Sequence, residues 1–180
     1  MKRAAALALA LLLVAAGVVA ADTFPLPGFA HARVGVGWRL MAELHDRSGA
    51  MAFRVRTAGD EASYAALWHE LGPAATRNAL IGPQRPAVNF DSEIVAVFGE
   101  GISSCTTGVR LDDVVIDRAA RTVHSEMTEN RTCLHLDLTG SIVFVVALSR
   151  EALPESPYTI QLHARPTCRS CTEHEDRVTL

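Results

Sequence analysis

Two uninterrupted apolar runs, Ile94-Val-Ala-Val-Phe98 and Ile142-Val-Phe-Val-Val-Ala-Leu148, constrain this chain more than any other feature. Neither alternates with polar residues, so a strand built from either has no face to offer water and must be covered on both sides. Both are far too short to span a bilayer as a helix. Each is therefore read as a central strand. One segment is suited to cover such strands: Asp60-Glu-Ala-Ser-Tyr-Ala-Ala-Leu-Trp-His-Glu-Leu71 places Tyr64, Leu67, Trp68 and Leu71 on one face at helical spacing. Asp60 is an N-cap whose carboxylate can accept from orphan amides, and Gly72-Pro73 supplies a left-handed exit and a residue that cannot continue the helix.

The remaining elements read as strands and turns. Met51, Phe53 and Val55 alternate after the turn signal Asp46-Arg-Ser-Gly49, so Val34 to Leu44 and Met51 to Thr57 are expected to form a hairpin. The proline-bearing passage 73 to 87 is an extended connection pinned by Leu80 and Ile81. In Val109 to Asp117, Val109 and Leu111 have one parity while Val114 and Ile116 have the other, which predicts a bulge at Asp112-Asp113. A turn at Arg118-Ala-Ala-Arg121 leads to a strand from Thr122, expected to pair about Glu129-Asn130 with Cys133 to Leu138. Tyr158, Ile160 and Leu162 alternate along a last strand, and beyond Arg165 the chain is polar. The expectation is an α+β fold, one antiparallel sheet with one main amphipathic helix packed on it.

Residues 1–21 read as a secretory signal peptide: Lys2 and Arg3, an apolar stretch, then small residues before the cleavage point. An uncleaved N-terminal anchor is the alternative reading of the same stretch. Cleavage removes two basic residues and no acid, leaving 15 basic against 20 acidic side chains, a net charge of −5. Nucleic acid is not an expected partner of such a chain. The mature protein divides into a leader and first hairpin arm (22–49), a single domain (50–165) and a polar tail (166–180), with no membrane insertion expected. Four cysteines, Cys105, Cys133, Cys168 and Cys171, enter an oxidising compartment, periplasmic or extracellular, where two disulfides are the default. Cys105 with Cys133, and Cys168 with Cys171, are the expected pairs.

Leu67-Trp68, Pro86-Ala-Val-Asn-Phe-Asp91, Ile94-Val-Ala-Val-Phe-Gly99 and the closing Pro157-Tyr158 strand, in that order, resemble the PrcB C-terminal-like family of exported proteins over roughly residues 50–164. The family is named for an accessory component of a bacterial protease complex. Where its relatives tend to have a glycine-tyrosine entry to the next strand, this chain has Ser103-Ser-Cys-Thr-Thr-Gly-Val109. The resemblance implies a non-catalytic accessory or binding domain outside the cytoplasm and assigns no catalytic residue.

Catalytic signatures are sparse. The sequence has no Gly-x-Ser-x-Gly elbow and no phosphate loop, and His69-Glu70 lacks the second histidine of a zincin. Gly99-x-Gly101 is read as a glycine-rich strand exit, not a dinucleotide fingerprint. His163, Cys168, Cys171 and His174 form the most suggestive cluster, since two thiolates and two imidazoles at short spacing could surround zinc or copper. Against that stands a small Cys168–Cys171 ring in a tail with incidental histidines; thiol redox chemistry is a further alternative. His124 and His135, with Glu126 and Asp137, could form a surface metal site on adjacent strands. Asn130-Arg-Thr132 matches a glycosylation sequon. The expected function is an exported, non-enzymatic binding domain for an unknown exported protein, without cofactor; the alternative is a periplasmic metal-binding or thiol-redox protein.

Overall fold

The computed structural model describes residues 34–46, 55–75, 84–102, 106–131, 140–167 and 174–180. Residues 1–33, which include the stretch read as a signal peptide, Leu80-Ile81, the Cys133–Leu138 segment and all four cysteines lie outside the described residues. Among the described residues, nine strands and one helix follow in order: β1 (Val34–Gly35), β2 (Trp38–Asp46), β3 (Val55–Ala58), α1 (Glu61–Ala75), β4 (Glu93–Ile102), β5 (Thr106–Asp117), β6 (Thr122–Arg131), β7 (Gly140–Ser149), β8 (Thr159–Pro166) and β9 (His174–Thr179). They build a five-stranded sheet, β1-β2-β7-β4-β3, and a four-stranded sheet, β5-β6-β8-β9.

The expected single sheet with one main helix is therefore corrected. The protein is mostly β, two sheets face to face with the helix as an outer layer. The reason lies in the two apolar runs. As β4 and β7 they pair with each other along their whole length at the centre of the larger sheet, Val97 opposite Val145 and Phe98 opposite Phe144. A sheet with two apolar faces needs two covers, and the helix can supply only one. The second comes from β5, β6 and β8, which alternate apolar and polar and so turn one face inward. Ile94, Ala96, Phe98, Phe144 and Val146 meet Leu111, Val123, Met127, Ile160 and Leu162 between the sheets. On the far side, Val95, Val97, Val143 and Val145 meet Tyr64, Leu67 and Leu71 of α1.

The N-cap forms as the sequence indicates, but the expected end at Gly72-Pro73 does not, since the helix runs on through Pro73 to Ala75. Ser63 N donates to Asp60 Oδ1 at 2.8 Å, and Asp60 N donates to Ser63 Oγ at 3.2 Å. The bond from the Ser63 amide holds the Asp60 carboxyl below its ordinary range. At Gly72 the helix kinks, with φ +43° and ψ −116°, a backbone that side-chain-bearing residues rarely adopt. Tyr64, Leu67 and Leu71 are buried as expected, whereas Trp68 is half-buried at the rim of the same cluster. Beyond the helix, Val88 and Phe90 fold back onto it, the Phe90 ring 5.9 Å from Tyr64.

Three strand pairings differ from the sequence expectation. β2 and β3 form no hairpin: β2 pairs with β7 and β3 with β4, so two strands separate them. Glu129-Asn130 is not a turn; both residues lie inside β6, opposite Val109 and Gly108. The other neighbour of β6 is β8, in parallel, with Val123 beside Ile160. The polar end of the chain returns as β9, setting Val178 against Ile160, while Tyr158 and Leu180 exchange backbone hydrogen bonds.

The bulge does form, between Leu111 and Asp113, and it connects the sheets. It frees the Asp113 carboxylate to accept from Trp38 Nε1 at 3.1 Å and from Val114 N at 2.7 Å. No helix among the described residues is long and apolar enough to cross a membrane.

Candidate functional site

The two faces of the sandwich are finished differently. Helix α1 lies on the five-stranded sheet, with contacts to β2 and β3; among the described residues nothing is laid over the outer face of β5-β6-β8-β9. That face is polar because it carries the positions left over from the inward alternation: His124, Glu126 and Thr128 on β6, and Gln161, His163 and Arg165 on β8.

Strand register arranges these residues in rows. Thr128 lies between Arg110 and Arg165; Glu126 lies between Asp113 and His163, with Glu175 next; His124 lies between Val115 and Gln161, with Arg177 next. Glu126 is the hub. Its Oε1 is 3.4 Å from His124 Nε2 and 3.6 Å from His163 Nδ1, and its Oε2 is 3.4 Å from an Arg165 guanidinium nitrogen. These separations exceed a direct hydrogen bond, so none of the three neighbours locks the carboxylate. Beside them, Asp112 accepts from Arg110 Nε at 2.5 Å and from Thr128 Oγ1 at 2.6 Å. An open depression of about 560 Å³ is lined by His124, Glu126, Gln161, His163, Asp176 and Arg177.

A second polar group lies inside the sandwich, where β5 begins and β6 ends. Glu129 is 1% exposed, accepts from Thr106 Oγ1 at 2.5 Å and lies 2.9 Å from Arg131 Nε. Both contacts fall on Oε1 and tie the start of β5 to the end of β6, while Oε2 is buried without a hydrogen-bond partner among the described residues.

The sequence candidates are redistributed by this geometry. His124 and Glu126 do share a face with a second histidine, but it is His163; His135 and Asp137 lie outside the described residues. His163 therefore belongs to the open face. His174 takes register with Ala164 and Glu175 with His163, so His163 and His174 are one position out of phase on adjacent strands. Cys168 and Cys171, the other two members of that cluster, lie outside the described residues, as do Cys105 and Cys133. Among the described residues, no three His, Cys, Asp or Glu side chains form a cluster able to hold a metal. Sequence reasoning missed Gln161, Arg165 and Arg177 as members of one surface. The signal was present for two of them, since Gln161 and Arg165 share the outward parity of His163, but their neighbours on β6 are set by a long-range parallel pairing.

No family model, curated protein or solved structure matches this chain.

Proposed function

We propose that this chain is an exported, non-enzymatic accessory domain that binds another exported protein through the outer face of its four-stranded sheet. The observation that carries this reading is the asymmetry of the sandwich. One outer sheet face is sealed by α1, while the other presents ordered, half-exposed polar side chains around a shallow depression. Surfaces that recognise proteins combine a rigid backbone with side chains not fully committed to internal bonds, and the Glu126 hub meets both conditions. Further support comes from the signal-peptide reading of residues 1–21 and from the resemblance to the PrcB C-terminal-like family. Loss of the Glu126 carboxylate should weaken partner binding while the fold persists.

The test is site-specific photocross-linking in the exporting cell, with the reactive residue at Gln161 on the open face or at His69, exposed on α1. A single discrete adduct from Gln161, absent from His69, is the expected result. Adducts from His69 alone would assign recognition to the helix side and overturn the reading.

A further inference from the structure

The outer backbone groups of an edge strand lack a neighbour, and such an edge is a template for another strand. The larger sheet ends in β1 and β3, of two and four residues, too short to hold one. The smaller sheet ends in β5, of twelve residues, and β9, of six. Among the described residues, neither has a strand on its other side.

Hydrogen-bond parity decides which amides face these edges. Tyr158 and Leu180 exchange backbone bonds, so in the antiparallel β8–β9 ladder Ile160 with Val178 and Leu162 with Asp176 are bonded pairs too. Glu175, Arg177 and Thr179 therefore turn their amides outward. The middle one is already taken, since Arg177 N donates to Asp176 Oδ1 at 2.9 Å. Asp176 has the inward parity of its register partner Leu162, yet it is only half-buried and its carboxylate turns to the edge.

β5 repeats the arrangement. Thr159 N donates to Arg121 O and Thr167 N to Glu129 O, so the odd-numbered residues of β6 bond to β8 and the even-numbered ones to β5. Beyond the bulge, Asp113 and Val115 pair with Glu126 and His124, and Val114 turns its amide to the open edge. There Val114 N donates to Asp113 Oδ1 at 2.7 Å. On both edges an aspartate thus takes the outward amide of the residue that follows it. An arriving strand would have to break that bond and shut a carboxylate away from water. A second β9 meets a further obstacle. The antiparallel register in which the Glu175 and Arg177 amides exchange bonds sets the two Asp176 carboxylates opposite each other.

We infer, independently of the binding-face reading above, that Asp176 and Asp113 close the two long edges of this sheet to strand addition by a second copy of the chain. Asp176 is the cleaner probe, because Asp113 also accepts from Trp38.

Sedimentation velocity of the purified chain over a range of concentrations provides the test. The native chain should keep the mass of one copy. Asp176→Val and Asp176→Thr each remove the carboxylate and leave a strand-forming side chain. Both should move to the mass of two copies as concentration rises, with amide protection gained at Glu175, Arg177 and Thr179. Because Asp113 still closes β5, association should stop there, and larger assemblies would overturn the role given to Asp113. Asp176→Val/Arg177→Pro lacks the edge amide at a position where an edge strand tolerates proline, and should return to one copy. Association that persists in this double variant would place the contact elsewhere and overturn the inference. A native chain already paired through β9 would do the same, as would either single variant that remains one copy while its Val178 amide keeps native protection.

Discussion

Glu126 and Glu129 lie three residues apart on the same strand and have opposite fates. Glu129 points between the sheets, accepts from Thr106 and faces Arg131 at hydrogen-bonding distance. Glu126 points outward, with each of its three cationic or imidazole neighbours 3.4 to 3.6 Å away. Residue type, strand and sequence neighbourhood are shared; parity differs. Inside, low polarity makes an unpaired charge costly, so the carboxylate is held through Oε1 by Thr106 and Arg131 and becomes structural, while its Oε2 finds no hydrogen-bond partner among the described residues. Outside, water shares in satisfying it, and the carboxylate and its neighbours remain available to a partner. Burial thus separates the group that holds the protein together from the group proposed to meet something else.

The largest expected effect comes from breaking the inward member. Glu129→Ala should cost about 3–5 kcal/mol, because it strands the Arg131 guanidinium and the Thr106 hydroxyl in a closed site. Urea denaturation measures this, and a loss below about 1 kcal/mol would remove the distinction between the two glutamates. Deleting the chain beyond Thr167 should cost about 2–3 kcal/mol, since it removes β9, uncovers the β8 edge and takes Val178 from the core. A melting temperature equal to that of the intact chain would mean that β9 adds nothing to the second sheet.

How much of this the sequence discloses depends on the kind of information. Burial was legible, because a continuous apolar run or a helical stripe states which faces avoid water. The runs at Ile94–Phe98 and Ile142–Leu148 became the central strands, and the parity change in β5 became a bulge. Partner choice was not legible. A period of two says which way a side chain faces and nothing of which strand lies beside it. Hairpin pairing was therefore assumed between β2 and β3, and about Glu129-Asn130, where the chain instead crosses to distant strands. The emphasis on the helix in the expected fold class has the same origin, since its pattern is the most self-contained in the chain. The site followed suit: the outward residues were readable, but the parallel β6–β8 pairing that joins Glu126 to His163 leaves no local trace.

Glu93 sharpens the comparison as an intermediate case. Arg39 Nε and a terminal guanidinium nitrogen donate to its two carboxylate oxygens, both at 2.9 Å. These bonds hold its carboxyl below the ordinary glutamate range. A depressed folded-state pKa adds stability that is present above the unfolded value and is lost as pH falls through the folded one. Stability should therefore decline on acidification below about pH 4.5, and Glu93→Gln should flatten that acid limb. The pair is partly solvated, so the effect should stay within about 1 kcal/mol. An acid limb as steep in Glu93→Gln as in the native chain would assign it to other carboxylates.

The smallest effect on stability belongs to the outward member. Glu126→Ala should change unfolding free energy by less than about 1 kcal/mol, because its neighbours stay hydrated when it is gone. A loss as large as that of Glu129→Ala would make Glu126 a structural residue and remove it from the binding face.

Amide hydrogen exchange of the purified chain, alone and in complex with a partner captured by cross-linking, tests the proposed binding face most directly. Added protection should concentrate in Thr122–Thr128 of β6 and Thr159–Arg165 of β8, with the Glu61–Leu71 turns of α1 unchanged. Protection gained on α1, with β6 and β8 exchanging as in the free protein, would contradict it.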